Sequence, residues 1–177
     1  QYVFPYYNFS TNLFSNHRGS LNFTSSGNNR LNETNKLDSK IDNNINFNSR
    51  SIYSMNGFVS NYNIYLKNLN SIGKKSSKYK SSPDLEIYNI NEYSLSYPLE
   101  KDSAINYNYL TPKLSFRINP SDMKNETNAE RLITADNIFG INRLGLSDSF
   151  ESGKSITLGL DYRKENKDDI NKYLEIK

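Results

Sequence analysis

The chain has 177 residues, with 22 lysines and arginines against 19 aspartates and glutamates, for a formal net charge of +3. So small an excess does not argue for a nucleic-acid partner. The absence of cysteine excludes a disulfide framework and a thiolate metal site, and no apolar run approaches the roughly 20 residues of a membrane-spanning helix.

Only 35% of residues are apolar, yet there are 14 tyrosines and 9 phenylalanines. Many aromatics on few aliphatics, among abundant Asn and Ser, suit a sheet with one apolar face and one wet face. Residues 1–13 are aromatic and strand-like, with Pro5 removing one ladder donor. Residues 16–19 form a short turn, and Leu21 and Phe23 share a face in the next strand. A polar, loop-like stretch fills 27–36. Over 37–48 the pattern alternates, with Leu37, Ile41, Ile45 and Phe47 on one side and Asp38, Lys40, Asp42, Asn44, Asn46 and Asn48 on the other. A tight turn at 49–51 leads into a long strand over 52–68, in which Phe58, Tyr62, Ile64 and Leu66 face one way. Residues 69–84 form a polar loop holding Lys74, Lys75, Lys78 and Lys80. The next strand, 85–99, alternates most clearly over Tyr93, Leu95, Tyr97 and Leu99, and 100–105 is a turn.

Two strands stand out beyond this point. In 108–119, Leu110, Pro112, Leu114, Phe116 and Ile118 alternate with Thr111, Lys113, Ser115, Arg117 and Asn119. In 155–163, Ile156, Leu158, Leu160 and Tyr162 alternate with Thr157, Gly159, Asp161 and Arg163. A period of two sends the sets to opposite faces. Leu110, Leu114, Phe116, Ile118, Ile156, Leu158 and Leu160 are therefore candidates for a lipid-facing band. Lys113, Arg117, Asp161 and Arg163 are candidates for the wall of a wet lumen, where opposite charges on adjacent strands should pair. After a turn at 164–171, residues 173–177 resemble a strand cut short. Residue 1 starts directly in strand-like sequence, without the basic n-region and apolar core of a signal peptide, so the chain reads as an internal piece of a longer protein.

The connections are expected to alternate in length: short at 15–19, 49–51, 100–105 and 164–171, long at 28–36, 69–84 and 120–153. Short periplasmic turns and longer extracellular loops are the habit of bacterial outer-membrane barrels. The expected fold is all-β, an antiparallel up-and-down meander of about eight strands, forming an open curved sheet as part of one large barrel domain.

Three stretches carry a family resemblance: Leu-Thr-Pro-Lys-Leu at 110–114, Asn-Pro-Ser-Asp-Met-Lys-Asn at 119–125, and 136–154, which runs Asp-Asn-Ile-Phe-Gly-Ile-Asn-Arg and on to Gly-Lys. They resemble LptD, the outer-membrane lipopolysaccharide-assembly family, in its Pro-containing strand, its long loop with Phe followed by Asn-Arg and a Gly, and its Gly-containing strand. The resemblance covers about a third of the chain. It implies a cell outer-membrane location and delivery of lipopolysaccharide to the outer leaflet through a laterally opening barrel. The implied partners are lipopolysaccharide, outer-membrane lipid, an LptE-like lipoprotein and the proteins of a periplasmic transport bridge. It implies no cofactor and no covalent chemistry.

Other features read more plainly. His17, the one histidine, sits in a turn with no nucleophile placed beside it, so a serine-histidine-aspartate arrangement lacks support. Gly140, Gly145 and Gly153 are not spaced as a phosphate-binding loop and read as turn or bulge positions. The Lys74–Lys80 cluster is either a solvated loop or a contact for anionic head groups on the extracellular side. Two rival classes share the strand rhythm: another outer-membrane barrel, such as a porin or receptor, and an Asn-rich secreted interaction protein.

Overall fold

The computed structural model describes residues 2–33, 35–121, 133–144, 151–169 and 171–177. The described chain is all-β. Its strands are β1 (Tyr2–Asn16), β2 (Gly19–Asn32), β3 (Lys36–Ser49), β4 (Ile52–Tyr53), β5 (Val59–Lys74), β6 (Asp84–Ser96), β7 (Leu99–Asp102), β8 (Asn106–Asn119), β9 (Gly153–Asn166) and β10 (Tyr173–Ile176). One antiparallel sheet takes them in the order β1-β2-β3-β5-β6-β8-β9-β10, with the short β4 on β5 and β7 on β8. Leaving aside the short β4 and β7, each strand pairs with the next along the chain, and the meander does not close into a barrel.

The register is unbroken across the centre. Phe23 faces Ile45, Ile45 faces Leu66, Tyr93 faces Phe116, and Phe116 faces Ile156. Because alternate side chains point to opposite faces, this register gathers every member of one parity onto one face. The strands reach 13–16 residues, longer than the 9–11 needed to cross a bilayer at a tilt.

Three expectations about the connections are corrected. The stretch 28–36 is mostly strand: Asn28 pairs with Lys40 and Arg30 with Asp38, leaving only 33–35 between β2 and β3. There Glu33 takes φ 49°, its carbonyl accepts from the Asn35 amide at 2.7 Å, and its carboxylate meets Lys36 at 2.7 Å. Conversely, 49–51 is not a complete turn. The chain makes a small hairpin through β4, with Gly57 at φ 84° and the Ser54 hydroxyl accepting from the Phe58 amide at 3.0 Å. Glycine takes this left-handed conformation without a Cβ clash. Finally, β5 runs on to Lys74, so the loop after it is 75–83. One end of the sheet therefore carries the connections 17–18, 50–58, 103–105 and 167–172, and the other carries 33–35, 75–83 and 120–152. The length asymmetry rests on the last of these and not on a regular alternation.

β1 forms one edge of the sheet, and its 15 residues contain no Lys, Arg, Asp or Glu. Tyr2, Phe4, Tyr6, Phe9 and Leu13 along it are exposed. Natural edge strands are usually blunted by charge, because an unpaired ladder templates association. The chain is therefore expected to self-associate in buffer without lipid or detergent. Sedimentation velocity checks this, and a monodisperse species with a cooperative thermal transition would contradict it.

Candidate functional site

The two faces of the sheet differ in the opposite sense to a soluble protein. On one face lie Ile41, Ile45, Leu66, Ile72, Leu85, Ile87, Tyr93, Phe116, Ile156, Leu158 and Leu160, all exposed. Ile156 is 69% and Leu158 78% exposed, where a soluble core would bury them. On the other face Asp42, Lys67, Ser71, Glu86, Glu92, Ser115, Arg117, Asn119 and Thr157 are buried. Polar groups are thus covered and apolar groups uncovered.

Residues Leu110, Leu114, Phe116 and Ile118 fall on the apolar face with Ile156, Leu158 and Leu160. The register sets Phe116 against Ile156, Leu114 against Leu158, and Pro112 against Leu160. This face has a polar interruption at mid-strand over β1 to β5. The Tyr7 hydroxyl meets Ser25 Oγ at 3.1 Å, and Ser25 donates to Asn43 Oδ1 at 2.7 Å. Asn43 and Asn70 then both donate to Asn68 Oδ1, at 3.3 and 2.6 Å. Linking these groups to one another offsets much of the cost of removing them from water.

The polar face is covered in part by the segment 133–144, which precedes β9. Arg117 Nε donates to the Ile141 carbonyl at 3.1 Å, and its Nη1 donates to the Glu151 carbonyl at 2.9 Å. Asn119 Nδ2 donates to the same Glu151 carbonyl at 3.0 Å. Arg143 donates through two nitrogens to the Glu151 carboxylate and through Nη1 to Thr157 Oγ1 at 3.4 Å. Ile141 packs on Tyr88 and Ile90, with Tyr65 beside them. Phe139 lies on Gly159, where an added Cβ would come within 2.5 Å of the ring. The Lys113 ammonium stands 5.8 Å from the centre of that ring. Gly159 thus leaves a notch in β9 that an aromatic ring fills.

The four charged candidates part company within this face. Lys113 and Asp161 form an ion pair across β8 and β9. Arg117 instead grips main-chain carbonyls. Arg163 pairs with Glu165 on its own strand and lies 5.0 Å from the Tyr173 ring. A buried pair of Asp42 with Lys67 on the same face did not stand out in the sequence, although both residues lie on the polar parity of their strands. The lysines of 74–80 do not form a single cluster. Lys80 pairs with Asp84, Lys78 stands 5.3 Å from the Tyr79 ring, and Lys74 and Lys75 are exposed.

Arg143 and Glu151 belong to the stretch that carries the family resemblance, but their pairing had no periodic signal. Of that stretch, residues 145–150 lie outside the described residues, as do 122–125 of the Asn-Pro-Ser-Asp motif; Gly145 falls among them. Gly153, at φ 91°, is the first residue of β9 and pairs with Asn119. Among the described residues no three metal-ligating side chains come together. No family model, no curated protein and no solved structure matches the chain.

The hydrogen bonds from Arg143 hold the Glu151 carboxyl below its usual range; burial opposes them, and the charges of Arg143 and Arg117 add to the lowering. A carboxyl lowered by docking stabilises the docked segment above the free carboxyl's titration and ceases to do so as pH falls through the lowered value. Distance measurements between spin labels at positions 137 and 164 should therefore show the segment seated at neutral pH and loosened in acid. Glu151→Gln should reduce that pH dependence, and Gly159→Ala should displace Phe139 at every pH. An unchanged distance across pH and in both variants would contradict this account of the seating.

Proposed function

We propose that this sheet is a stretch of wall from an outer-membrane β-barrel of the LptD type, whose role is to pass lipopolysaccharide to the outer leaflet. The observation that carries the membrane part of the reading is the inversion of the faces. An apolar face left exposed on many consecutive strands costs too much in water, whereas acyl chains solvate it. The polar face complements it. Asp38 Oδ1, Asp42 Oδ1, Asn46 Oδ1, Glu92 Oε2, Arg117 Nη2 and Ser155 Oγ are buried there without a hydrogen bond from protein. Buried polar atoms need partners, and a face lined with them suits a hydrated lumen.

The narrower part of the reading rests on the motifs at 110–114, 119–125 and 136–154. In that reading the polar face serves the sugar head group and the apolar face borders lipid. No bond is made or broken, so the residues act by solvation alone. The driving energy, an LptE-like lipoprotein and the periplasmic bridge lie elsewhere in the assembly. A different outer-membrane barrel would share the face inversion but not these motifs.

The test compares adjacent residues of opposite parity. Fluorophores at positions 114 and 158 should be strongly quenched by lipids with brominated acyl chains, and those at 115 and 157 weakly. Equal quenching at both parities, or none, would contradict a bilayer-facing wall. In the same setting Leu114→Arg or Leu158→Arg should cost about 2–4 kcal/mol of folding free energy at mid-depth. Lys113→Arg, on the polar face, should be tolerated.

A further inference from the structure

We propose that the apolar face carries, at the end where β5 gives way to the 75–83 connection, a binding site for a lipid with an anionic head group. The inference rests on the reading of this face as lipid-facing and adds the class of lipid it selects. Two grooves meet there at Ile72. One, of about 240 Å³, lies between β3 and β6 and is walled by Ile41, Ile72, Pro83 and Leu85. The other, of about 370 Å³, continues past Leu37 and Ile72 to Lys74 and Lys75. Ile41, Ile72 and Leu85 are 44%, 38% and 61% exposed, so the path is open, and its floor is apolar apart from Ser39 and Asn70, whose side chains are hydrogen-bonded to Asn29 and Asn68.

The charges at its end are placed by the strand. Lys74 follows Ile72 by two residues, on the same face of β5, and stands opposite Leu37 in the register. Lys75 takes φ 53°, a left-handed turn that ends the strand beside the groove. Both lysines are exposed and form no ion pair among the described residues, whereas the neighbouring acid, Asp84, is occupied by Lys80. An acyl chain lying along Leu85, Ile41 and Ile72 brings its head group to these two ammonium groups. A phosphate there accepts charge-assisted hydrogen bonds from both. A zwitterionic head group offers the same apolar chain with no net charge, so the lysines discriminate between the two by charge.

The whole protein is reconstituted in mixed vesicles of phosphatidylglycerol and phosphatidylcholine, with a fluorophore at position 85 or, as reference, at 158. Only one lipid at a time carries the brominated chains. At 85 the brominated phosphatidylglycerol should be preferred roughly tenfold, while at 158 neither lipid should be preferred. Lys74→Gln with Lys75→Gln should abolish the preference at 85 but keep quenching by phosphatidylcholine, and the double arginine variant should restore it. Equal quenching by both lipids at 85, or a preference that survives the glutamines, overturns the site while leaving the lipid-facing reading intact. Absence of quenching at 158 as well as at 85 overturns both.

Discussion

A pleated strand sends successive side chains to opposite faces, and in a continuous antiparallel register all strands must keep the same parity. Everything else in this sheet depends on that constraint. Phe47, Ile64, Tyr93, Phe116 and Ile156 reach one face because each is held in step with its neighbours by main-chain hydrogen bonds. A slip of one residue at β8 would put Arg117 among them, and a slip at β5 would put Lys67 there. Register is therefore what separates an apolar face from a polar one.

The same constraint explains why burial looks reversed. The described residues bury few apolar side chains: Leu69, Tyr79, Tyr88, Ile90 and Leu144. Such a cluster cannot supply the apolar burial that stabilises a soluble domain of this length. Part of it is completed by Ile141, from the segment laid over the polar face. That segment is held by groups that pair closely. Arg117 reaches two main-chain carbonyls, Arg143 reaches the Glu151 carboxylate and Thr157, and Phe139 fills the space above Gly159. Satisfying buried donors in this way is a condition for covering a charged face at all.

Much of the parity was legible in the amino-acid order. The alternation from Leu110 to Asn119 and from Ile156 to Arg163 is regular, and both strands lie where it places them. Legibility failed where the wet face is polar enough to imitate a loop. Asn28 and Arg30 pair across to Lys40 and Asp38, yet a run of Asn, Arg and Glu reads as turn sequence. The end of β5 was hidden for the converse reason: Asn68 and Asn70 stand on the apolar face and break the alternation, their amides joined to each other and to Asn43. The seat of Phe139 on Gly159 had no local signal, since it depends on residues 20 apart meeting across a long connection. Neither the Gly in β9 nor the Phe in the loop points to the other in the sequence.

The central claim, that one parity meets lipid and the other a wet interior, is tested most directly by scanning β8 with single spin labels from 110 to 118 in membranes. Collision rates with dissolved oxygen, which concentrates in hydrocarbon, should peak at 110, 114, 116 and 118. At 111 and 113 a water-soluble nickel chelate should be the more effective relaxant, and at 115 and 117, beneath the docked segment, both should be weak. Oxygen and chelate accessibilities that rise and fall together along the strand, or that show no period of two, would contradict the account.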